Sequence, residues 1–112
     1  MDEKATVPVV AAVVRRGDHY LLGRRPEAKR HGGLWEFPGG KVREGESRLE
    51  AATRELAEEL DLVVVSLGRL LLSVHDEGSP FVIEFFETVT EGVPVAHEHI
   101  ELGWFAPPEL GR

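Results

Sequence analysis

Residues 39–62, GGKVREGESRLEAATRELAEELDL, constrain this chain more than any other stretch. Ser47 has the character of an N-cap, and Glu50 three residues later completes a Ser-x-x-Glu capping-box pattern. No Gly or Pro interrupts Arg48 to Leu60, and Ala, Leu, Glu and Arg dominate, so one firm helix is expected there. At about 100° per residue, Leu49, Ala52, Leu56 and Leu60 share an apolar stripe. Glu55, Glu58 and Glu59 fall on another side at i, i+3 and i+4, where like charges cost an isolated helix about 0.2–0.5 kcal/mol per pair. Arg48 and Arg54 offset part of that repulsion, but no Lys or Arg follows in Leu60-Asp61-Leu62-Val63. A solvated acidic face is the ordinary outcome of such a cluster. The alternative is a bound cation, for which carboxylate oxygens select Mg²⁺ or Mn²⁺.

The surroundings decide between them. Five residues separate Gly40 from Glu46, and seven more separate Glu46 from Arg54-Glu55-Leu56-Ala57-Glu58-Glu59-Leu60-Asp61-Leu62. This resembles the Nudix box, Gly-x5-Glu-x7-Arg-Glu-U-x-Glu-Glu-x-Gly-U with U a bulky apolar residue. Every fixed position matches except Asp61, where the box has Gly. Gly there ends the helix in a left-handed conformation that Asp also tolerates, so the departure touches the helix stop rather than the chemistry. The chain is identified as a member of the Nudix hydrolase family, nearest its MutT-like branch. Leu34 to Lys41, LWEFPGGK, and the Glu98…Trp104 spacing also match, and the resemblance thins only between Val63 and Ala96.

A length of 112 residues fits one domain, taken as 1–112. The net charge of −7 argues against a nucleic-acid duplex or an anionic membrane as partner. A small polyphosphate remains admissible, because divalent cations reverse the local sign. The absence of Cys excludes disulfides, Cys-ligated zinc and a thiol nucleophile. The start, MDEKATVPVV, is too acidic for a signal peptide and no apolar run approaches a membrane span, so a cytoplasmic location is expected.

Strands are expected at Val7 to Arg15, Tyr20 to Arg24, Val63 to Val65, Leu67 to His75, Phe81 to Val89 and Ile100 to Phe105, with an extended segment over Leu34 to Pro38. Many strands around one strong helix, without strand–helix alternation, imply an α+β domain with a mixed, mostly antiparallel sheet. The resemblance implies the Nudix fold, a curved mixed sheet packed against that helix. The family's usual C-terminal helix has no counterpart, the sequence stopping at Pro107-Pro108-Glu109-Leu110-Gly111-Arg112. Either the chain is shortened or a partner subunit closes the sheet face that helix would cover. An uncovered apolar face is an association site, so a homodimer is one expectation.

The resemblance also assigns roles. Glu55, Glu58, Glu59, the carbonyl of Gly39 and Glu98 would hold the divalent cations. Glu55 is the first candidate for the base that takes the proton of an attacking water, and Glu98 the second. Glu46 and Arg54 would orient the neighbouring carboxylates. Arg25 and Phe37 match nucleoside-pocket positions, with Trp35 and Lys41 beside them as further substrate contacts; core packing is the competing reading for Phe37. In the basic loop Pro26 to Gly33, Lys29, Arg30 and His31 are candidates for phosphate contacts. His97 and His99 flank Glu98, but adjacent residues rarely face one ion, and a zinc site is rejected.

The expected reaction is hydrolysis of a (deoxy)nucleoside triphosphate, an oxidised or otherwise modified one included, to the monophosphate and pyrophosphate. Alternatives are another nucleoside diphosphate-X substrate such as ADP-ribose, or a Nudix-fold module that binds a nucleotide without cleaving it. Silent modules typically lose a box glutamate; Glu46, Glu55, Glu58 and Glu59 are all present, which favours the enzyme.

Overall fold

A computed structural model of the chain describes residues 5–28 and 32–107. Lys29, Arg30 and His31, and the chain end from Pro108 onward, lie outside the described residues. Strands β1 (Val7–Arg16), β2 (His19–Arg24), β3 (Trp35–Glu36) and β4 (Gly39–Lys41) precede helix α1 (Arg48–Leu60); β5 (Val63–His75), β6 (Phe81–Glu91) and β7 (Glu101–Phe105) follow it. The expected α+β architecture is what forms. The sheet runs β3-β2-β1-β6-β5, with β4 on β1 and β7 on β2, and every pairing is antiparallel except β1 with β6.

Strand β1 is shared. Its start pairs with β4 and β6, its end with β2. Because side chains alternate along a strand, its even and odd residues serve different sides. Val10 packs with Ala51 and Ala52 of the helix, while Ala12 and Val14 join Leu56, Leu60 and Leu62 in the main core. Leu56 and Leu60 are fully buried, worth about 2 kcal/mol each in apolar burial. Strand β6 follows the same rule: Glu84 reaches Arg48 of the helix at 2.8 Å and Phe86 packs beside Val10, whereas Phe81, Ile83 and Phe85 face away.

The helix begins where the capping box puts it. Ser47 accepts the Glu50 N–H at 3.0 Å, and Glu50 accepts the Ser47 N–H at 2.8 Å. Its stripe differs from expectation at the start. Leu49 is 48% exposed and Ala51 is buried against the sheet in its place, beside Ala52, which is buried as expected. At the other end Asp61 takes the left-handed conformation, φ 59° and ψ 26°.

Two more features go beyond the expected strands. Gly39-Gly40 forms part of β4, because pairing with Val10 and Ala11 draws it into the sheet. Strand β5 is continuous through Gly68, and the interruption survives as register shifts between Val64 and Ser66 and between Leu67 and Leu72. Leu70, Leu71, Leu72 and Val74 on it are exposed. Among the described residues no helix is long and apolar enough to cross a membrane.

Candidate active site

A cavity of about 1120 Å³ opens over the side of the sheet turned away from the helix core. Its floor is Val9 and Ala11 of β1 with Phe81, Ile83 and Phe85 of β6, the odd residues of the two paired strands. Phe37 stands edge-on to Phe85, with ring centroids 5.7 Å apart. Glu55, Glu59 and Glu98 form an acidic wall, and Arg25, Trp35, Glu36 and His99 line another part.

The helix supplies the acidic wall, but not as a uniform face. Glu59 is buried, 6% exposed, and the Gly39 N–H donates to its Oε1 at 3.4 Å. Burial first, then the adjoining carboxyl of Glu55 and the charge of Glu98, push the Glu59 carboxyl up to about 9, with only the Gly39 N–H opposing. Glu58 points elsewhere: its side chain is half exposed, and Arg54 Nη1 lies 3.8 Å away. Among the described residues no three His, Asp or Glu side chains are already gathered as a metal cage. Two of the three helical glutamates therefore meet at the cavity, and the third does not.

Arg54 organises what surrounds them. Its Nε and Nη2 donate to the two oxygens of Glu46 at 2.8 and 2.9 Å, Nη1 to Glu55 Oε2 at 2.9 Å, and Nη2 also to the Lys41 carbonyl at 3.0 Å. The forked pair with Arg54, reinforced by the Arg43 N–H, holds Glu46 down to about 2, and Glu46 in turn raises Arg54. Glu46 thus acts behind the cavity rather than in it. Gly40 lets this packing close, since a Cβ there would run into the Glu55 carboxylate.

The predicted substrate residues are brought to the cavity. Lys41 Nζ sits 4.9 Å from the centre of the Phe81 ring. Trp35 is partly exposed and meets Phe105 edge to face at 4.9 Å. Arg25 Nη1 donates to both oxygens of Glu36 at 3.1 and 3.3 Å, and His99 Nε2 lies 2.9 Å from Glu36 Oε2. Burial acts to raise the Glu36 carboxyl, but the bonds from His99 and Arg25 outweigh it and hold the group below the ordinary carboxylate range. The His99 ring is buried against Gly23, where a Cβ would strike it, and its Nδ1 has no partner among the described residues.

Sequence reasoning missed Glu36, Phe81, Ile83 and Phe85 as cavity residues. The alternation Phe81-x-Ile83-x-Phe85 was visible, but alternation alone does not separate a cavity floor from a core.

Comparison with known proteins agrees with this geometry. A NUDIX domain family model matches residues 5–112. The CTP pyrophosphohydrolase of Escherichia coli (strain K12) is 39% identical over 106 residues, 92% of this chain and 78% of that protein. The 8-oxo-dGTP diphosphatase of Proteus vulgaris is 32% identical over 91 residues, 81% of each. Among solved structures, the MutT NUDIX hydrolase from Burkholderia pseudomallei superposes with a TM-score of 0.81 at 29% identity, over 92% of this chain and 84% of that one. The box, the fold around it and these relatives agree: the chain belongs to the Nudix hydrolase family.

Proposed function

We propose that the chain hydrolyses a nucleoside triphosphate to the monophosphate and pyrophosphate with the aid of a divalent cation. One observation carries the reading. Glu59 is buried beside Glu55 at the wall of an open cavity; Arg54 answers the charge of Glu55, but among the described residues no cationic side chain pairs with Glu59, so ionising both favours a bound cation. The donor set is all oxygen, which fits Mg²⁺ or Mn²⁺. Glu55, Glu59 and Glu98, with the Gly39 carbonyl, would hold the cation, and Glu58 would join by rotating its exposed side chain. Such an ion supplies charge neutralisation for the phosphates and acidifies a bound water.

The chain's own residues do the rest. Arg54 fixes one oxygen of Glu55, and Glu55 would accept the water's proton; Glu98, which also lines the cavity, is the alternative acceptor. The aromatic floor and Phe37 offer a flat apolar seat for a base, while Arg25 and Lys41 provide positive charge for phosphates or sugar. We read the nucleotide as drawn from the cytoplasmic pool. The relatives' names make CTP and 8-oxo-dGTP the first two substrates to test.

The test is a panel of CTP, dCTP, dGTP, 8-oxo-dGTP, ATP and ADP-ribose with Mg²⁺, resolving monophosphate, pyrophosphate and phosphate. A chelator and Glu59→Gln run beside it. Monophosphate plus pyrophosphate from one triphosphate, lost in both controls, is the expected result. A folded protein that turns over no member would replace the enzyme with a nucleotide-binding module.

A further inference from the structure

Glu98 lies in a loop, and a loop residue facing a reaction centre needs something to hold it. The loop is pinned on both sides of it. Before Glu98, the Val95 N–H donates to the Leu60 carbonyl at 2.9 Å and the His97 N–H to the Glu59 carbonyl at 3.0 Å. These are carbonyls at the helix end, which has no basic residue in its last turn. After Glu98, the Ile100 N–H donates to the Arg24 carbonyl at 3.0 Å, and His99 is buried against Gly23 and Glu36.

Among the described residues one charged side-chain pair joins the loop to the helix end: His97 Nε2 lies 2.9 Å from Asp61 Oδ2. Asp61 is the one non-glycine among the described residues with positive φ. Its backbone conformation is open to Gly without strain but disfavours a side chain. Asp at this position therefore brings a conformational cost together with a carboxylate that Gly lacks, and that carboxylate meets the residue next to Glu98.

We propose that Asp61 and His97 form a latch that positions Glu98, so that Asp61 is a positioning residue for the reaction and not merely a helix stop. The inference rests on the reading of Glu98 as part of the catalytic centre. The latch is half exposed on both sides, so its effect is moderate.

The test compares kcat, KM and melting temperature for Asp61→Gly, Asp61→Asn, His97→Ala, the Asp61→Gly/His97→Ala double variant and Glu98→Gln. Asp61→Gly is expected to lower kcat about three- to fivefold, the size of a single polar contact, with KM nearly unchanged and melting no lower than the parent. His97→Ala lowers kcat equally, and the double variant falls no further. Asp61→Asn keeps parental kcat, since Asn tolerates the left-handed conformation and still presents an oxygen to His97. Parental kcat in Asp61→Gly, or multiplying effects in the double variant, overturns the latch. Parental kcat in Glu98→Gln overturns the reading of Glu98 itself, and the latch with it. An inactive Glu98→Gln beside a fully active Asp61→Gly overturns the latch alone.

Discussion

Glu46 and Glu59 belong to one sequence signature, yet the fold treats them oppositely. Glu46 receives both arms of Arg54 and a backbone N–H, and its carboxyl is held down to about 2. Glu59 is pressed beside Glu55, its one backbone donor 3.4 Å away, and its carboxyl is pushed up to about 9. The first is a satisfied charge that stiffens the approach to the helix. The second is a charge the protein alone does not complete. Spacing in sequence groups the two, and their partners separate them; under the proposed function the first supports and the second receives the cation.

The largest test of that contrast is Glu59→Gln. Gln keeps the shape but needs no proton taken up on folding at neutral pH, so the melting temperature of the chelated protein should rise. Turnover should fall by at least about 10- to 100-fold, the loss seen even for the outer partners of a metal ligand. Lower stability together with retained activity would reverse the assignment. Next is Arg54→Gln, which leaves Glu46 and Glu55 without their common partner. Both activity and melting temperature should fall, activity by about 10- to 100-fold, as for other groups that orient metal ligands. An unaffected kcat would make the arginine purely structural.

A pH series separates the two carboxylates without mutation. Glu46 titrates near 2 when folded and at about 4.3 when unfolded, so its stabilisation is present above about pH 4.3 and is lost on acidification toward 2. Glu59 has the opposite sign: titrating near 9 when folded, it binds its proton more tightly in the native state, and stability falls as pH rises from about 4.3 toward 9. Melting of the chelated protein should therefore peak in mildly acidic buffer. Added Mg²⁺ should flatten the alkaline limb and release a proton on binding at pH 7, seen by calorimetry in buffers of differing ionisation enthalpy. An alkaline limb indifferent to Mg²⁺ would detach Glu59 from the cation. The smallest effect is expected at the helix start, where Ser47→Ala should cost about 1 kcal/mol of stability and leave kcat unchanged.

The features legible in sequence were those decided locally. The capping box, the helix limits and the left-handed Asp61 all follow from a few neighbouring residues. What could not be read was decided by tertiary contact. Periodicity placed Leu49 with Leu56 and grouped Glu58 with Glu59, because a helical wheel does not know where the sheet lies. Burial then parted them: Glu59 went under, Glu58 stayed in solvent, and Ala51 took the contact expected of Leu49. The short β4 was hidden behind two glycines whose strand character comes entirely from pairing with β1. Glu36 went unnoticed because its partners, Arg25 and His99, lie 11 and 63 residues away.

The alternation along β1 and β6 has an evolutionary reading. Val10, Ala12 and Phe86 are committed to the helix side, whereas Val9, Ala11, Ile83 and Phe85 meet whatever occupies the cavity. Inheritance can act on the second set while leaving the first alone. If the cavity takes a nucleotide as proposed, a lineage could change the base it accepts by substitutions two residues apart on these strands while the helix-side packing stays the same. In a saturation library, loss of folding and change of preference should then beat against each other with a period of two.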